Sequence, residues 1–182
     1  MEKTIKSRKR KEYNMKLIKI YVSTIIWNLL VNTIAKSILI PQKIRFYLYR
    51  CAGMKIKTSN IRSGCTFRGK SIFIEEGVFL NHNVFIDAWE RVTIKENTSI
   101  AFDVLICTSS HAIGKSNKRA GESNRKPITI GKGCWIGARA TILPGVVIED
   151  GCVIAAGALV NKDCQSNGLY AGTPAIRIKD LD

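Results

Sequence analysis

Histidine is nearly absent. The chain has two, His82 and His111, so imidazole chemistry has only two candidates. Cysteine is present but dispersed. None of the six (Cys51, Cys65, Cys107, Cys134, Cys152, Cys164) forms a CxxC pair, so metal clusters and dithiol redox motifs find no support, and no metal is expected. Acidic residues are almost missing from the N-terminal part. Residues 1–62 carry 15 Lys or Arg against two Glu, and the remainder carries 14 against 12, so the net charge of +15 is nearly all N-terminal. That basic arm has no base-reading motif and no interleaved aromatics, which argues against nucleic acid as a partner. A long uninterrupted apolar run is lacking too. Lys19 and Lys36 bracket 16 uncharged residues that include Ser23, Thr24, Asn28, Asn32 and Thr33, short and polar for a spanning helix. No small-residue cleavage site follows, which reads against a cleaved signal peptide.

What is present is a period of six. Ile130, Ile136, Ile142, Ile148, Ile154 and Val160 fall at every sixth position. A helix repeats its apolar face at about 3.6 residues and a strand at two. A strict six fits short strands joined by tight turns, stacked coil upon coil, with one large aliphatic side chain per strand facing inward. Gly133, Gly145, Gly151 and Gly157 supply the turns. Small or β-branched residues, Cys134, Ala140, Val146, Cys152 and Ala158, all but Ala140 directly after one of these glycines, fill the remaining inward positions. The period runs earlier and less cleanly through Ile61, Phe67, Ile74, Leu80 and Ile86, with one seven-residue step to Ile74, and after a two-residue slip through Ile94, Ile100 and Ile106. Between Ile106 and Ile130 a polar stretch, 109–126, reads as a long loop thrown out from one coil. Cys134 and Cys152 lie one 18-residue coil apart and read as stacked small hydrophobes in a reducing compartment.

ITIGKGCWIGARATILPGVVIEDGCVIAAGALVNKD (128–163) followed by YAGTPA (170–175) resembles the hexapeptide-repeat acyltransferases, in the branch of maltose, galactoside and capsular-polysaccharide O-acetyltransferases. The resemblance extends over residues 54–179. It implies an all-β, left-handed parallel β-helix of triangular section. The organisation expected is an N-terminal basic helical segment over 1–53 and a β-helix domain over 54–182, with the loop 109–126 and a C-terminal cap. The γ-type carbonic anhydrases share the coil but need three metal-binding histidines, and two per chain argue against them.

Removing a hydroxyl proton during acyl transfer suits a neutral imidazole. Spacing alone does not separate His82 from His111. The resemblance does, because the family's general base occupies this Ser-Ser-His position before the loop, which makes His111 the catalytic candidate. It further implies Asn81 and Asp87 as acceptor contacts and Trp135 as an aromatic beside the centre. Acetyl-CoA is the implied co-substrate. Gly137, Ala138, Ala155, Ala156 and Gly157 would form a side-chain-poor groove for its extended arm, and Lys162, Arg177 and Lys179 would meet its phosphates. Ile176 stands where many relatives carry arginine, and Ala138 where some carry serine. The expected activity is O-acetylation of a carbohydrate, a surface polysaccharide or its lipid-linked precursor. The alternatives are N-acetylation of an amino sugar or a non-catalytic basic binding protein. A homotrimer with cofactor grooves between subunits is implied.

For the N-terminal segment, Ile18, Val22, Ile25 or Ile26, Leu29 and Thr33 fall on one side of a helix over 17–40 that Pro41 stops. Beside the run Lys3, Lys6, Arg8, Lys9, Arg10 and Lys11, this reads as an interfacial helix. It would hold the protein through residues 1–40 to anionic lipid at the cytoplasmic face of the plasma membrane. A capping helix and a transmembrane anchor are the other readings. A second helix over 42–52, with Ile44, Tyr47 and Leu48 on one face, ends at Gly53.

Overall fold

The computed structural model describes the backbone of residues 2–182 and the side chains of residues 12–182. Strands of two to five residues stack into three faces of a parallel β-helix. The first face holds Lys55–Ile56, Ile72–Ile74, Val92–Ile94, Ile128–Ile130 and Val147–Ile148. The second holds Phe79–Leu80, Ser99–Ile100, Trp135–Ile136, Val153–Ile154 and Gly168–Ala171, and Ile176–Asp180 closes it in the antiparallel sense. The third holds Thr66–Arg68, Phe85–Asp87, Leu105–Cys107, Thr141–Ile142 and Leu159–Val160.

The sixfold anchors stack in register. Ile74, Ile94, Ile130 and Ile148 are successive neighbours on the first face, and Ile86, Ile106, Ile142 and Val160 on the third. All of them are buried. Burying one such side chain contributes about 1.5–3 kcal/mol, so the column holds neighbouring coils together. The turns need a left-handed residue. Where glycine is missing, Asn83, Asn97 and Asp103 supply it, with φ of 61°, 58° and 58°. Cys134 and Cys152 are buried, as the coil spacing predicts, and neither is bridged.

The open end of the first coil is plugged by helices. Helix α1, Glu2–Leu29, runs into a π-helical turn, Leu30–Ala35, and α2 spans Gln42–Cys51. The first helix therefore begins well before residue 17 and ends before Pro41, which instead precedes α2 and accepts the Arg45 N–H. Trp27, Val31 and Ala35 are buried against the coil. Asn32 finishes the edge strand of the third face: its Oδ1 accepts the Phe67 N–H at 2.9 Å, and its Nδ2 donates to the Phe67 carbonyl at 3.0 Å. The Trp27 indole N–H donates to the same carbonyl at 3.0 Å. Arg45, also buried, donates to the carbonyls of Ala35, Ser37, Ile40 and Ile61, tying both helices to the first coil.

The inward face of α2 is Arg45 and Tyr49, not the expected one: Ile44 and Tyr47 are exposed, while Leu48 is partly buried. The reason is tertiary, since Tyr49 packs edge-on against Phe67 with ring centroids 5.2 Å apart. Gly53 ends the helix at φ 91°. Along α1, the side chains Ile18, Val22, Ile25, Ile26 and Leu29 are exposed, and Trp27 lies across the helix from Ile18 and Leu29. The stretch Glu12–Ala35 is long and apolar enough to cross a membrane by length and composition, which the 16 uncharged residues between Lys19 and Lys36 did not suggest. The side chains of the basic run Lys3 to Lys11 lie outside the described residues.

The stretch 109–126 is ordered rather than a loop. Ser109–Ile113 and Ala120–Arg125 form an antiparallel hairpin arm leaving the prism after the third face. At the other end, Arg177 locks the final hairpin through its five N–H groups. They donate to Asp180 Oδ1, the Tyr170 hydroxyl and the carbonyls of Gln165, Ser166 and Asn167.

Candidate active site

His111 sits on the hairpin arm opposite Ser123. Its Nδ1 lies 2.9 Å from the Gly121 carbonyl oxygen. A carbonyl only accepts, so in the neutral ring Nδ1 carries the proton and Nε2 keeps its lone pair. The exposed ring is thereby fixed as the tautomer a general base requires. The arm is anchored at its foot. Thr108, buried, donates to the Asp87 backbone carbonyl at 2.8 Å and accepts from the Glu90 N–H. The Ser109 hydroxyl donates to Asp87 Oδ2.

Asp87 is 4 % exposed, and its Oδ1 is buried with no hydrogen-bond partner among the described residues. Its setting is a strand end under the arm, not a solvated turn. A buried carboxylate oxygen without a donor is costly unless something supplies one. Cys107, the neighbouring thiol, donates to the Ser109 carbonyl at 3.1 Å.

Asn81 lies at a different corner, between the second and third faces. Its N–H donates to the Ile100 carbonyl; above it Ala101 donates to Ile136, Gly137 to Ile154 and Ala155 to Tyr170. The predicted cofactor strip thus stacks directly over Asn81. The strip is tight: a Cβ on Gly137 would lie 2.5 Å from the Ala156 amide nitrogen. Asn81 Oδ1 accepts the His82 N–H, and His82 Nδ1 meets the Ser63 hydroxyl at 3.1 Å. Trp135 points outward from the second face, 59 % exposed, one residue before the anchor leading to Gly137.

Asp87 follows Asn81 by six positions, up to roughly 20 Å of extended chain. One chain therefore carries two groups at separate corners: Asn81 with the small-residue strip, and Asp87 with the His111 arm. Lys162 and Lys179 are exposed, at the turn after the third face and on the last strand. Arg177 differs from expectation. Its donors are consumed within the C-terminal hairpin, which leaves none for a phosphate. Ser109, Trp89 and Arg125 were missed by sequence reasoning. Arg125 lies 4.8 Å over the Trp89 ring and pairs with Ser109 across the arm. Trp89 stands two residues after Asp87, which was the available signal.

Residues 127–162 match the family of the bacterial transferase hexapeptide (six repeats). Over those residues the chain carries the hexapeptide repeat of such transferases. Among curated members it is 37 % identical over 114 residues to the galactoside O-acetyltransferase of Escherichia coli K12, covering 63 % of this chain and 56 % of that protein. The chain spans less than two thirds of the length of the first curated relatives it matches. Among solved structures of the family, a maltose O-acetyltransferase from Clostridium difficile 630 superposes with a TM-score of 0.72 at 26 % identity, covering 89 % of this chain and 86 % of that one. A hexapeptide-repeat acetyltransferase from Vibrio cholerae gives 0.68 at 26 % identity, over 90 % and 93 % of the two chains. The Vibrio cholerae protein has also been solved with acetyl coenzyme A, and that complex matches at 23 % identity and a TM-score of 0.53, covering 90 % of each chain.

Proposed function

We propose that this chain transfers the acetyl group of acetyl-CoA to a hydroxyl of a carbohydrate, with His111 as general base. The observation that carries the reading is the Nδ1–H contact to Gly121, which leaves Nε2 free on an anchored arm. As the sugar oxygen attacks the thioester carbonyl, Nε2 takes the hydroxyl proton and a C–O bond forms. The tetrahedral intermediate collapses, the C–S bond breaks, and the imidazolium returns its proton to the departing thiolate. The products are an O-acetyl sugar and free CoA. The unpartnered Asp87 Oδ1 is placed to accept a second acceptor hydroxyl. The strip at Gly137, Ala138 and Ala156 gives the pantetheine arm backbone to lie along, with Lys162 and Lys179 as the remaining candidates for its phosphates.

Because the two residue groups occupy separate corners, the reading includes a homotrimer in which one copy supplies the His111 arm and another the Asn81 strip. A surface polysaccharide or its lipid-linked precursor is the proposed acceptor class, and the inner face of the plasma membrane the proposed location. The test is thiol release from acetyl-CoA against sugars, amino sugars and polysaccharide repeat units. His111→Ala should lower turnover by about 10²–10⁴ while leaving acetyl-CoA binding intact. Lost activity in Cys107→Ala with a trapped acetyl-enzyme in the parent would overturn the direct mechanism. Transfer only to amines would replace the hydroxyl acceptor.

A further inference from the structure

Two adjoining cavities lie between α1 and the first coils. The larger, about 410 Å³, is walled by Ile18, Val22, Ile26, Leu30, Cys51 and Ala52. Its neighbour, about 250 Å³, is lined by Thr24, Asn28, Arg68, Gly69 and Trp89. Ser23, Trp27 and Lys70 line both, so the two form one track. Among the described residues, no acidic side chain lines either.

Polarity changes in order along this track. The outer end is hydrocarbon and continues into the exposed apolar side of α1. Lys19 and Lys70 stand at its rim. Lys70 Nζ is held 3.1 Å from the Ser23 hydroxyl and 5.6 Å over the Trp27 ring, a cation fixed at the junction. Arg68 follows, and in the ladder of the third face it is the direct neighbour of Asp87. Trp89 ends the track with a half-exposed ring, joined through Arg125 to the arm that carries His111. Tail, anion and sugar are the groups this order accommodates: apolar wall, paired cations, then an aromatic face for the C–H side of a sugar ring.

We infer that this track binds the hydrocarbon chain and phosphate of a lipid-linked saccharide, so that the sugar is presented to Asp87 and the His111 arm. The inference rests on the proposed acetyl transfer for the fate of the sugar, but not for binding. The probe is farnesyl phosphate, with farnesol and inorganic phosphate as controls. It is titrated against the full-length chain carrying Trp135→Phe, so that fluorescence reports Trp27 and Trp89.

Farnesyl phosphate should saturate at about tenfold lower concentration than either control, since both halves of the track contribute. Arg68→Ala and Lys70→Ala should each weaken farnesyl phosphate by about tenfold while leaving farnesol unchanged. Ile26→Asp, at an exposed position that folding tolerates, should abolish the signal. Inorganic phosphate binding as tightly would mean a plain anion site and overturn the inference. Farnesol binding as tightly would reduce the track to a membrane-contacting surface and also overturn it. Acetylation of soluble sugars without farnesyl phosphate binding would sink the track and leave the enzymatic reading standing. Binding without thiol release would keep the track and remove the reaction.

Discussion

Cys134 and Cys164 hold their protons well beyond the ordinary thiol range. Burial pushes them from 9.0 to about 11 and about 12, and it raises Cys152 as well. The unfolded chain exposes these thiols to water, where they ionise first. The stabilising difference is therefore fully present below about pH 9 and is lost as pH climbs through 9 toward 11 or 12. Thermal melts should fall across that window, and Cys134→Ala with Cys164→Ala should flatten the fall. A melting temperature independent of pH over the same range would contradict this. At neutral pH, thiol reagents should label the exposed Cys51 long before the buried four, Cys65, Cys134, Cys152 and Cys164. The stacking of these thiols was legible in the sequence because the 18-residue coil fixes it. Asp87 was legible only as an acid. Its burial depends on Thr108 and Ser109, about 20 positions later, which reach it only after the coil closes. The partners of Arg177 were not legible for a related reason: they are mostly backbone carbonyls of the preceding turn, and sequence does not display those.

Helix α1 joins two jobs in one element. Trp27, Val31, Asn32 and Ala35 close the first coil, while exposed residues before them wall the cavity beside it. The apolar stretch could not be assigned from sequence because a docking stripe and a lipid-facing stripe share the same helical period. The deciding partner, Phe67, lies 40 residues beyond Trp27. Removal of residues 1–23 should leave a folded, thermally stable protein. Removal of residues 1–40 strips the cap and exposes the Phe67 edge, and loss of each buried side chain costs about 1.5–3 kcal/mol. Asn32→Ala alone should cost about 1–3 kcal/mol by orphaning the Phe67 N–H and weakening its carbonyl contacts. Chemical denaturation of the three variants checks this. An undiminished midpoint for the 1–40 deletion would refute the capping role. The arm at 109–126 was legible as an insertion but not as a hairpin, because its strands are polar and pair only with each other.

The molecule as a whole presents a corner bearing Asn81 and the small-residue strip, and another bearing Asp87 and the arm. If copies share these, activity should follow assembly. Sedimentation should give a trimer, and dilution below its dissociation range should lose turnover; a fully active monomer would reject the shared site. Membrane attachment belongs to this scale too. Each basic residue near an anionic surface contributes about 1 kcal/mol within a Debye length. The full chain should therefore co-sediment with anionic liposomes at low salt and release at high salt, whereas the 1–23 deletion should stay in solution. Failure to bind anionic vesicles would reject the peripheral reading, and retention through salt and carbonate washes would replace it with a spanning helix. The Asn32 side chain carries one more consequence. A coil that stacks on a copy of itself has no intrinsic reason to stop, and each uncovered end is a template for the next. By occupying both backbone groups of Phe67, one amide withholds the edge of the third face from the next copy and removes it as a template for end-to-end growth.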